Sequence, residues 1–330
     1  MTGNTAIRAH IAEAIRRAER ILVTCHRNPD GDAIGSLLAM GLILRALDKP
    51  HTLYAPDPVP YPFVSLPRAR DVVTQLDPEA RFDLSISLDA GDEQQLGEDF
   101  PPPERRGILV VLDHHSSGRA FGDIRWWEPE CAATGVLVEQ LAETLKVPVT
   151  AELAEPLWVA LYTDTGGFRY SSTDAEVLRM AGTLVETGLS PWDVSVKLYE
   201  NNPLRRVQIL AKALNSLAVS ESGQIACLVI SEVMLRETGA DHTMLDGIIN
   251  YARGIAGVEV AVQVLQQGPR CRISLRSKGQ VNVGRLAQHL GGGGHHNAAG
   301  CVLDGEPEEV QQRVLTLLQD ELDRLLADPR

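Results

Sequence analysis

Short apolar runs rich in β-branched residues alternate with stretches of helical spacing along the first half of the chain. The runs ILVTC (21–25), LSISL (84–88) and ILVVL (108–112) have the length and composition of buried parallel strands, and 51–55 is a shorter strand pattern. Apolar residues at helical spacing cover residues 5–20, 32–47, 134–146, 153–162 and 174–186. Repeated βα units of this kind predict a mostly parallel sheet with helices on both faces.

The pattern changes after about residue 190. Residues 191–217 are polar and are interrupted by Pro203, which indicates a connecting segment. A strand pattern over 224–231, a hairpin pattern over 258–277 with Gly268-Pro269 at its turn, and an amphipathic helix pattern over 308–326 follow. We therefore predict an α/β domain over residues 1–190, a connecting segment over 191–217 and a smaller α+β domain over 218–330, with the active-site cleft between the two domains.

The composition is that of a globular protein, with 44% hydrophobic and 23% charged residues among 330. The net charge of −13 argues against tight binding of long nucleic acid, which needs an extended basic surface. Five scattered cysteines without a CxxC pair indicate a reducing compartment. The apolar stretch 33–44 is too short to cross a bilayer, and the N-terminus lacks the apolar core of a secretion signal. We expect a cytoplasmic protein without a membrane partner.

Acidic and imidazole side chains follow each of the three long strand patterns of the first half. The carboxyl ends of parallel strands meet at one edge of a sheet, where ligands bind. A further acid, Asp164, continues the spacing of Leu157, Ala160 and Leu161, and we therefore expect it on the inward face of its helix. The side chains predicted to meet at this edge are those of His26, Asp30, Asp32, Asp89, Asp113, His114, His115 and Asp164.

This predicted cluster is strongly acidic. Two carboxylates 4 Å apart repel each other by about 4 kcal/mol at an effective dielectric constant near 20. Such a cluster therefore either takes up protons or binds cations. Carboxylates with one or two imidazoles suit manganese or magnesium, and two divalent ions would nearly neutralise the cluster. A carboxylate shared between two metal ions is the usual geometry for phosphoryl chemistry.

Simpler explanations stay open for single residues. Asp92 is expected to be a helix cap or turn residue, and Asp32 is also placed to be an N-cap. Asp113 is equally well explained as a cap or as a residue that contacts the metal ligands and not the metal. Cys25 is expected to be a small buried hydrophobe. Ordinary packing or surface roles are expected for His10, His51, His242 and His289.

A run of four glycines precedes a histidine in the second half, in the sequence GGGGHHNAAG (291–300). Glycine N–H groups approach an anion closely because no Cβ intervenes, although a flexible loop is the default structure for such a run. The nearby strand end at Arg276-Ser277 adds a guanidinium that suits phosphate, although both residues also fit a plain edge strand. The predicted substrate-binding set is Arg276, Ser277, Gly293, Gly294 and His295.

Five segments resemble the motifs of the DHH phosphoesterase superfamily, which is named for the triplet found here at 113–115. The segments are HRNPDGDAIGS (26–36), SLDAGD (87–92), LDHHSS (112–117), ALYTDTGGFRYSS (160–172) and GGGGHHNAAG (291–300). The last of them resembles the signature of the DHH-associated C-terminal domain. Within the superfamily, the chain is most similar to the stand-alone members that degrade short oligoribonucleotides and dephosphorylate 3′-phosphoadenosine-5′-phosphate (pAp).

The resemblance implies a site for two divalent cations, expected to be Mn²⁺, with Mg²⁺ or Co²⁺ as alternatives. One ion would be bound by His26, Asp30 and Asp89, and the other by Asp32, Asp89, His114 and Asp164, so that Asp89 bridges them. Asp113 would be a weaker ligand or lie behind the ligands, and His115 would contact the substrate phosphate or orient a ligand. The expected catalytic residues are Asp89, Asp113, His114 and His115, while the glycine-loop set would hold the nucleotide. His296 receives no role.

The implied activity is the hydrolysis, by metal-activated water, of short oligonucleotides such as pApA and pGpG to 5′-mononucleotides, and of pAp to AMP and phosphate. Long duplex nucleic acid is not an expected partner, and a homodimer is left open. One alternative is a cyclic-di-AMP phosphodiesterase, which would use the same chemistry. A non-catalytic nucleotide-binding scaffold is disfavoured because no motif residue is missing.

Overall fold

The computed structural model describes residues 2–115, 118–294 and 296–327. Contacts within the chain divide it into two compact units, Met1–Asn201 and Asn202–Arg330. The predicted fold class, an α/β unit followed by a smaller α+β unit, is confirmed. The exact domain limits expected from the sequence stay a prediction. Among the described residues, no helix has the length and apolar character that crossing a membrane requires.

The first unit is built on a six-stranded sheet in which every strand pair is parallel. Its strands are β1 (Ile21–Cys25), β2 (His51–Tyr54), β3 (Val72–Val73), β4 (Leu84–Leu88), β5 (Ile108–Asp113) and β6 (Ile124–Trp127), in the spatial order β3-β2-β1-β4-β5-β6. The strand order reverses between β1 and β4, which is the position where open α/β sheets bind ligands. The predicted strands are present, whereas the short edge strands β3 and β6 were not predicted.

The helices of the first unit are α1 (Thr2–Arg17), α2 (Gly31–Ala46), α3 (Pro103–Arg106), α4 (Thr134–Leu145), α5 (Ala151–Asp164), α6 (Ala175–Glu186) and α7 (Pro191–Ser195), followed by a π-helical turn over Val196–Glu200. Helix α2 is buried on all sides from residue 31 to residue 44, as its continuous apolar sequence predicts.

Two glycines let three helices approach one another closely. A Cβ added to Gly35 of α2 would lie 2.5 Å from the carbonyl oxygen of Pro156 and 2.8 Å from the nitrogen of Ala160, both in α5. A Cβ on Gly135 of α4 would lie 2.5 Å from the Cβ of Ala160. Because only glycine fits at these two positions, the ends of α2, α4 and α5 meet beside the sheet edge.

The second unit has a six-stranded sheet in which only the β8–β9 pair is parallel. Its strands are β7 (Ala218–Val219), β8 (Ile225–Ile230), β9 (Val260–Gln267), β10 (Arg270–Ser277), β11 (Gly293–Gly294) and β12 (Ala298–Asp304), in the order β11-β12-β10-β9-β8-β7. Its helices are α8 (Leu204–Asn215), α9 (Glu232–Thr238), α10 (Ile249–Arg253), α11 (Val283–His289) and α12 (Pro307–Ala327). Successive residues of β8, such as Cys227 and Leu228, belong to two separate buried clusters on opposite faces of the sheet.

The predicted hairpin is confirmed, because β9 and β10 pair in antiparallel fashion with Gln267 opposite Arg270. Strand β12 was not predicted, and it pairs with residues Arg270–Arg276 of β10. The predicted connecting segment 191–217 contains α7 and α8, in agreement with its helical composition, and α8 buries Ile209 and Ala213 completely in the second unit.

Candidate metal centre

Two aspartates at the start of α2 are fixed by helix N-termini. Asp30 is the N-cap of α2, and its Oδ1 accepts hydrogen bonds from the N–H groups of Asp32 and Ala33, both at 3.1 Å. The carboxylate of Asp32 instead accepts from the first N–H groups of α4, those of Thr134 at 2.6 Å and Gly135 at 3.0 Å. Asp32 therefore caps a helix that lies 102 residues further along the chain, and not its own.

Asp89, the first residue after β4, lies in the middle of the cluster. Its φ of +59° is in the left-handed region, which non-glycine residues seldom adopt and which is concentrated at functional sites. The hydroxyl of Thr134 donates to its Oδ1 at 3.0 Å, and its backbone N–H donates to the carbonyl oxygen of Leu112 at 3.0 Å. The carboxylate is thus held at the switch point of the sheet.

Two histidines direct their Nε2 atoms at these carboxylates. Nδ1 of His26 is 2.8 Å from the carbonyl oxygen of Arg27, and Nδ1 of His114 is 2.9 Å from that of Cys131. Because a carbonyl oxygen only accepts, the hydrogen of each neutral ring is on Nδ1, and the lone pair of Nε2 is left for a ligand. A backbone acceptor of this kind is the usual support of a metal-binding histidine.

The predicted residues converge. Nε2 of His114 is 3.5 Å from a carboxylate oxygen of each of Asp32, Asp89 and Asp164. Nε2 of His26 is 3.6 Å from Asp89 and 3.9 Å from Asp30. Three overlapping groups have all their ligand atoms within 4.8 Å of one another, namely His26–Asp30–Asp89, Asp32–His114–Asp164 and Asp89–His114–His115.

Asp113 and His115 form a pair at the side of this cluster. Nδ1 of His115 is 2.5 Å from Oδ1 of Asp113 and 3.6 Å from Oδ1 of Asp89. Asp113 belongs to none of the three groups of candidate ligands among the described residues. His115 belongs to one of them, although the sequence analysis did not place it among the ligands.

The two central carboxylates of the cluster are buried, whereas the side chain of Asp30 is 56% exposed. Among the described residues, the cationic partners of these carboxylates are histidines. The side chains of Asp32 and Asp89 are 1% and 3% exposed. In the part of the chain that the structure describes, no lysine or arginine forms an ion pair with Asp30, Asp32, Asp89 or Asp164. Buried negative charge without a fixed positive partner is costly, which favours a bound cation.

The pKa values of three residues of the cluster are raised, by its negative charge for the two histidines and by burial and negative charge for the carboxyl group. Burial, with the charges of nearby aspartates, raises the pKa of Asp164 to about 7. Although burial opposes it, the charges of Asp89, Asp32 and Asp164 raise the pKa of His114 to about 9. Burial likewise opposes the cation of His26, yet its carboxylate neighbours raise its pKa well above the ordinary value. The cluster thus attracts positive charge strongly.

The donor set fits two divalent cations. Atoms that bind one ion at about 2.1 Å, at right or tetrahedral angles, lie about 3.0–3.4 Å apart. The separations of 3.5–3.9 Å between imidazole nitrogens and carboxylate oxygens are close to this value. Hard oxygen ligands with one imidazole for each ion suit manganese or magnesium. Asp89 has one oxygen near each histidine, Oδ2 beside His26 and Oδ1 beside His114, as a bridging carboxylate requires.

Four supporting groups, from three residues, were not predicted from the sequence. They are the hydroxyl and N–H of Thr134, the N–H of Gly135 and the hydroxyl of Ser36, which donates to Asp32 at 2.9 Å. Only Ser36 had a local signal, since it follows Asp32 by one helical turn. Two minor expectations are confirmed: Asp92 caps the short helix Glu93–Leu96, and Cys25 is fully buried.

The residues predicted to bind substrate lie in the second unit. Arg276, in β10, is half-buried and donates to the carbonyl oxygen of Leu275 at 3.0 Å. Ser277 is 2% exposed, and its hydroxyl is 3.2 Å from the side-chain oxygen of Asn297, to which it donates. The hydroxyl of Ser277 thus supports the loop after the glycine run, and its role toward substrate stays a prediction.

The glycine run is partly a strand and not a free loop. Gly293 and Gly294 form β11, opposite Gly300 and Ala299 of β12. A Cβ on Gly294, whose φ is +141°, would lie 2.4 Å from the Cα of Ala299. Close strand pairing therefore explains Gly294, whereas no atom of the described residues lies within 4 Å of a Cβ built on Gly293. His295 lies outside the described residues, and its predicted role stays a prediction.

Comparison with known proteins agrees with this arrangement. The family model described as "DHH family, N-terminal domain" matches residues 20–161, and the "DHHA1 domain" model matches residues 223–325. The chain is 32% identical to the bifunctional oligoribonuclease and PAP phosphatase NrnA of Thermus thermophilus, over 95% of this chain and 94% of that protein. It is 25% identical to the protein of the same name from Bacillus subtilis, over 98% and 97% of the two chains.

A solved structure gives the same result for the fold. The structure of an exopolyphosphatase-related protein from Bacteroides fragilis superposes with a TM-score of 0.87 at 25% identity, covering 97% of this chain and 96% of that one. From the two family matches and the 32% identity over nearly the full length, this chain belongs to the DHH family and carries the associated DHHA1 domain.

Proposed function

We propose that this protein is a metal-dependent phosphoesterase that hydrolyses short oligonucleotides, such as pApA and pGpG, to 5′-mononucleotides and converts pAp to AMP and phosphate. The observation that carries the proposal is the overlap of three candidate metal-binding groups. Two of the groups contain Asp89, and two contain His114. Relatives at 32% and 25% identity, both aligned over nearly their whole length, are named as oligoribonucleases and PAP phosphatases.

The proposed ligand sets follow the geometry. His26, Asp30 and Asp89 would hold one cation, and Asp32, Asp89, His114 and Asp164 the other. Two bound divalent cations, Mn²⁺ by preference, would supply a water of lowered pKa and would neutralise charge on the phosphate. The burial of Asp32 and Asp89 strengthens the electrostatic interactions of these two carboxylates because bulk water is excluded from them.

His115 is proposed to bind the substrate phosphate. Its Nδ1 is engaged by Asp113 at 2.5 Å, which fixes the ring, and Nε2 is the atom proposed to meet a phosphate oxygen. Asp113 is accordingly a positioning residue that acts through His115. The nucleotide is proposed to bind to a set of residues in the second unit. Arg276 would offer its guanidinium to a phosphate, and Gly293 would offer a backbone with no neighbouring described atom within 4 Å of its Cβ position. The other members of the set are Ser277, Gly294 and His295.

A substrate panel tests the proposal. The purified protein is incubated with Mn²⁺ and with pApA, pGpG, longer RNA, cyclic-di-AMP and pAp, and the products are separated by thin-layer chromatography. We expect mononucleotides from the dinucleotides and AMP from pAp. The variant Asp89→Ala should lose this activity, because Asp89 is shared by two of the candidate groups. A near-wild-type rate in this variant would show that the shared-ligand assignment is wrong.

One alternative remains within the same chemistry. The cyclic-di-AMP phosphodiesterase GdpP of Geobacillus thermodenitrificans is 25% identical over 97% of this chain, but the alignment covers only 51% of that protein. If cyclic-di-AMP is the member of the panel that is cleaved fastest, this alternative replaces the proposed substrate class.

A further inference from the structure

Trp127 is a large aromatic side chain that the fold leaves in water. It is the last residue of β6 and is 55% exposed, whereas the preceding Trp126 is 1% exposed. Strand alternation directs Ile124 and Trp126 into the core and Arg125 and Trp127 to the opposite face. Single exposed aromatic side chains are common on protein surfaces, and it is the position of Trp127 that distinguishes it from other exposed residues.

The position of Trp127 connects it to the metal centre. In the β5–β6 pair its backbone lies opposite that of Asp113, at the carboxyl end of the sheet. Its indole N–H donates to the carbonyl oxygen of His115 at 2.6 Å. The ring is therefore held in one orientation by the same segment that carries His114 and His115.

Arg125 adds a cation to the same face. It precedes Trp127 by two residues, which corresponds to about 6.6 Å along a strand. The side chain is exposed, and within the described part of the chain it forms no ion pair or hydrogen bond. An exposed aromatic ring beside an arginine is the combination with which proteins hold single-stranded nucleic acid, the ring for the base and the cation for the phosphate.

We propose that the exposed face of β6, formed by Trp127 and Arg125, is a subsite for the nucleotide next to the scissile phosphate. A base of the substrate stacks on the indole of Trp127, and Arg125 pairs with a phosphate of the same chain. The inference rests on the proposed function, since it requires a nucleotide substrate. Every base offers a π face, so that the subsite binds adenine and guanine alike.

Kinetics with a matched control test the subsite. Trp127→Ala is compared with Trp192→Ala, which removes another exposed tryptophan (66%) of the same unit, on α7. We expect Trp127→Ala to lower kcat/KM for pApA about tenfold, chiefly through KM, within the range for one base–aromatic stack. Trp127→Phe, which keeps a ring but loses the hydrogen bond to His115, should retain most activity. Trp192→Ala should behave as the wild type.

A substrate without the base separates stacking from an indirect effect. Two analogues of pApA, each of which lacks one of the two bases, are assayed with the same variants. For the analogue that lacks the stacked base, wild type and Trp127→Ala should be equal, because the partner of the indole is already gone. If Trp127→Ala lowers the rate equally for pApA and for both analogues, the residue acts by positioning His115 and the inference is wrong.

Tryptophan fluorescence gives a readout that does not depend on turnover. Titration with a methylene-phosphonate dinucleotide, which resists hydrolysis, should quench the emission of the wild type and of Trp192→Phe but not of Trp127→Phe. If the wild type cleaves no member of the panel, the proposed function fails, and this titration still decides the subsite. Equal quenching in all three proteins overturns the inference. A change in self-association by Trp127→Ala without a change in KM also overturns it, since the face would then be a protein interface.

Discussion

Replacing Gly35 with alanine tests whether the close approach of α2 and α5 positions the ligands of the candidate metal centre. The added Cβ would lie 2.5 Å from the carbonyl oxygen of Pro156, and ordinary contacts begin at 3.4 Å, so that the two helices must separate by about 0.9 Å (3.4 Å minus 2.5 Å). The obstructing atoms belong to the backbone of α5 and cannot rotate away. Asp32 lies one turn before Gly35, and Asp164 lies one turn after Ala160, so that the separation acts directly on both carboxylates.

The magnitude follows from two opposing effects. Overpacking of a close-packed interior destabilises by about 1–3 kcal/mol, whereas replacing glycine by alanine within a helix stabilises by about 1 kcal/mol. Gly182→Ala is the matched control, because Gly182 lies within α6 and no atom in the described part of the chain is within 4 Å of its Cβ position. The difference in unfolding free energy between the two variants therefore isolates the steric effect, expected to be about 1–3 kcal/mol.

Urea denaturation of the two variants measures the stability difference, and calorimetric titration with Mn²⁺ measures the affinity of the centre. We expect Gly35→Ala to weaken Mn²⁺ binding about tenfold, because ligand geometry must be held within about 0.5 Å. Gly182→Ala should bind Mn²⁺ as the wild type does and be slightly more stable. If Gly35→Ala matches Gly182→Ala in both measurements, the helix contact does not position the ligands.

Three further predictions concern the same residues. Thr134→Val removes the hydroxyl that donates to Asp89 but keeps the backbone N–H that donates to Asp32. Mn²⁺ affinity should therefore fall about tenfold with little loss of stability, and an unchanged affinity in titration would contradict this. Ser277→Ala removes the hydrogen bond to Asn297 and should lower the unfolding free energy by about 1 kcal/mol, as urea denaturation would measure. The KM for pApA should stay unchanged if the hydroxyl only supports the loop, and should rise if the hydroxyl binds substrate. Addition of Mn²⁺ at about 100 times its Kd to chelator-treated protein should raise the unfolding free energy by about 2.7 kcal/mol for each cation bound, and an unchanged denaturation midpoint would exclude a centre that binds the metal in the native state.

The sequence predicted which side chains would converge, because the candidate ligands follow the strongest local signals. His26 and Asp89 come directly after apolar runs that are buried strands, and parallel strands bring their carboxyl ends to one edge. Asp164 was placed by helical spacing alone. The supporting contacts were not predictable in this way, since Asp32 and Thr134 are 102 residues apart and neither residue carries a sign of the other.

Two strands that were not predicted, and the glycine run, show the opposite limit. Strands β6 and β12 have too few residues or too weak an alternation to be recognised, and they form because a neighbouring strand offers unpaired N–H and C=O groups. Glycine admits a ligand or an adjacent backbone equally well, and only the position of β12 shows that Gly294 faces Ala299.

The amino-acid sequence by itself therefore determined the βα order, the family motifs and the identity of the candidate ligands, because burial of apolar runs fixes which loops share a sheet edge. The tertiary structure decided which helix each aspartate caps, how closely α2 approaches α5, and that Trp127 stands exposed beside His115. These features depend on contacts between residues far apart in the chain, whose free energy is set by packing geometry and leaves no local pattern.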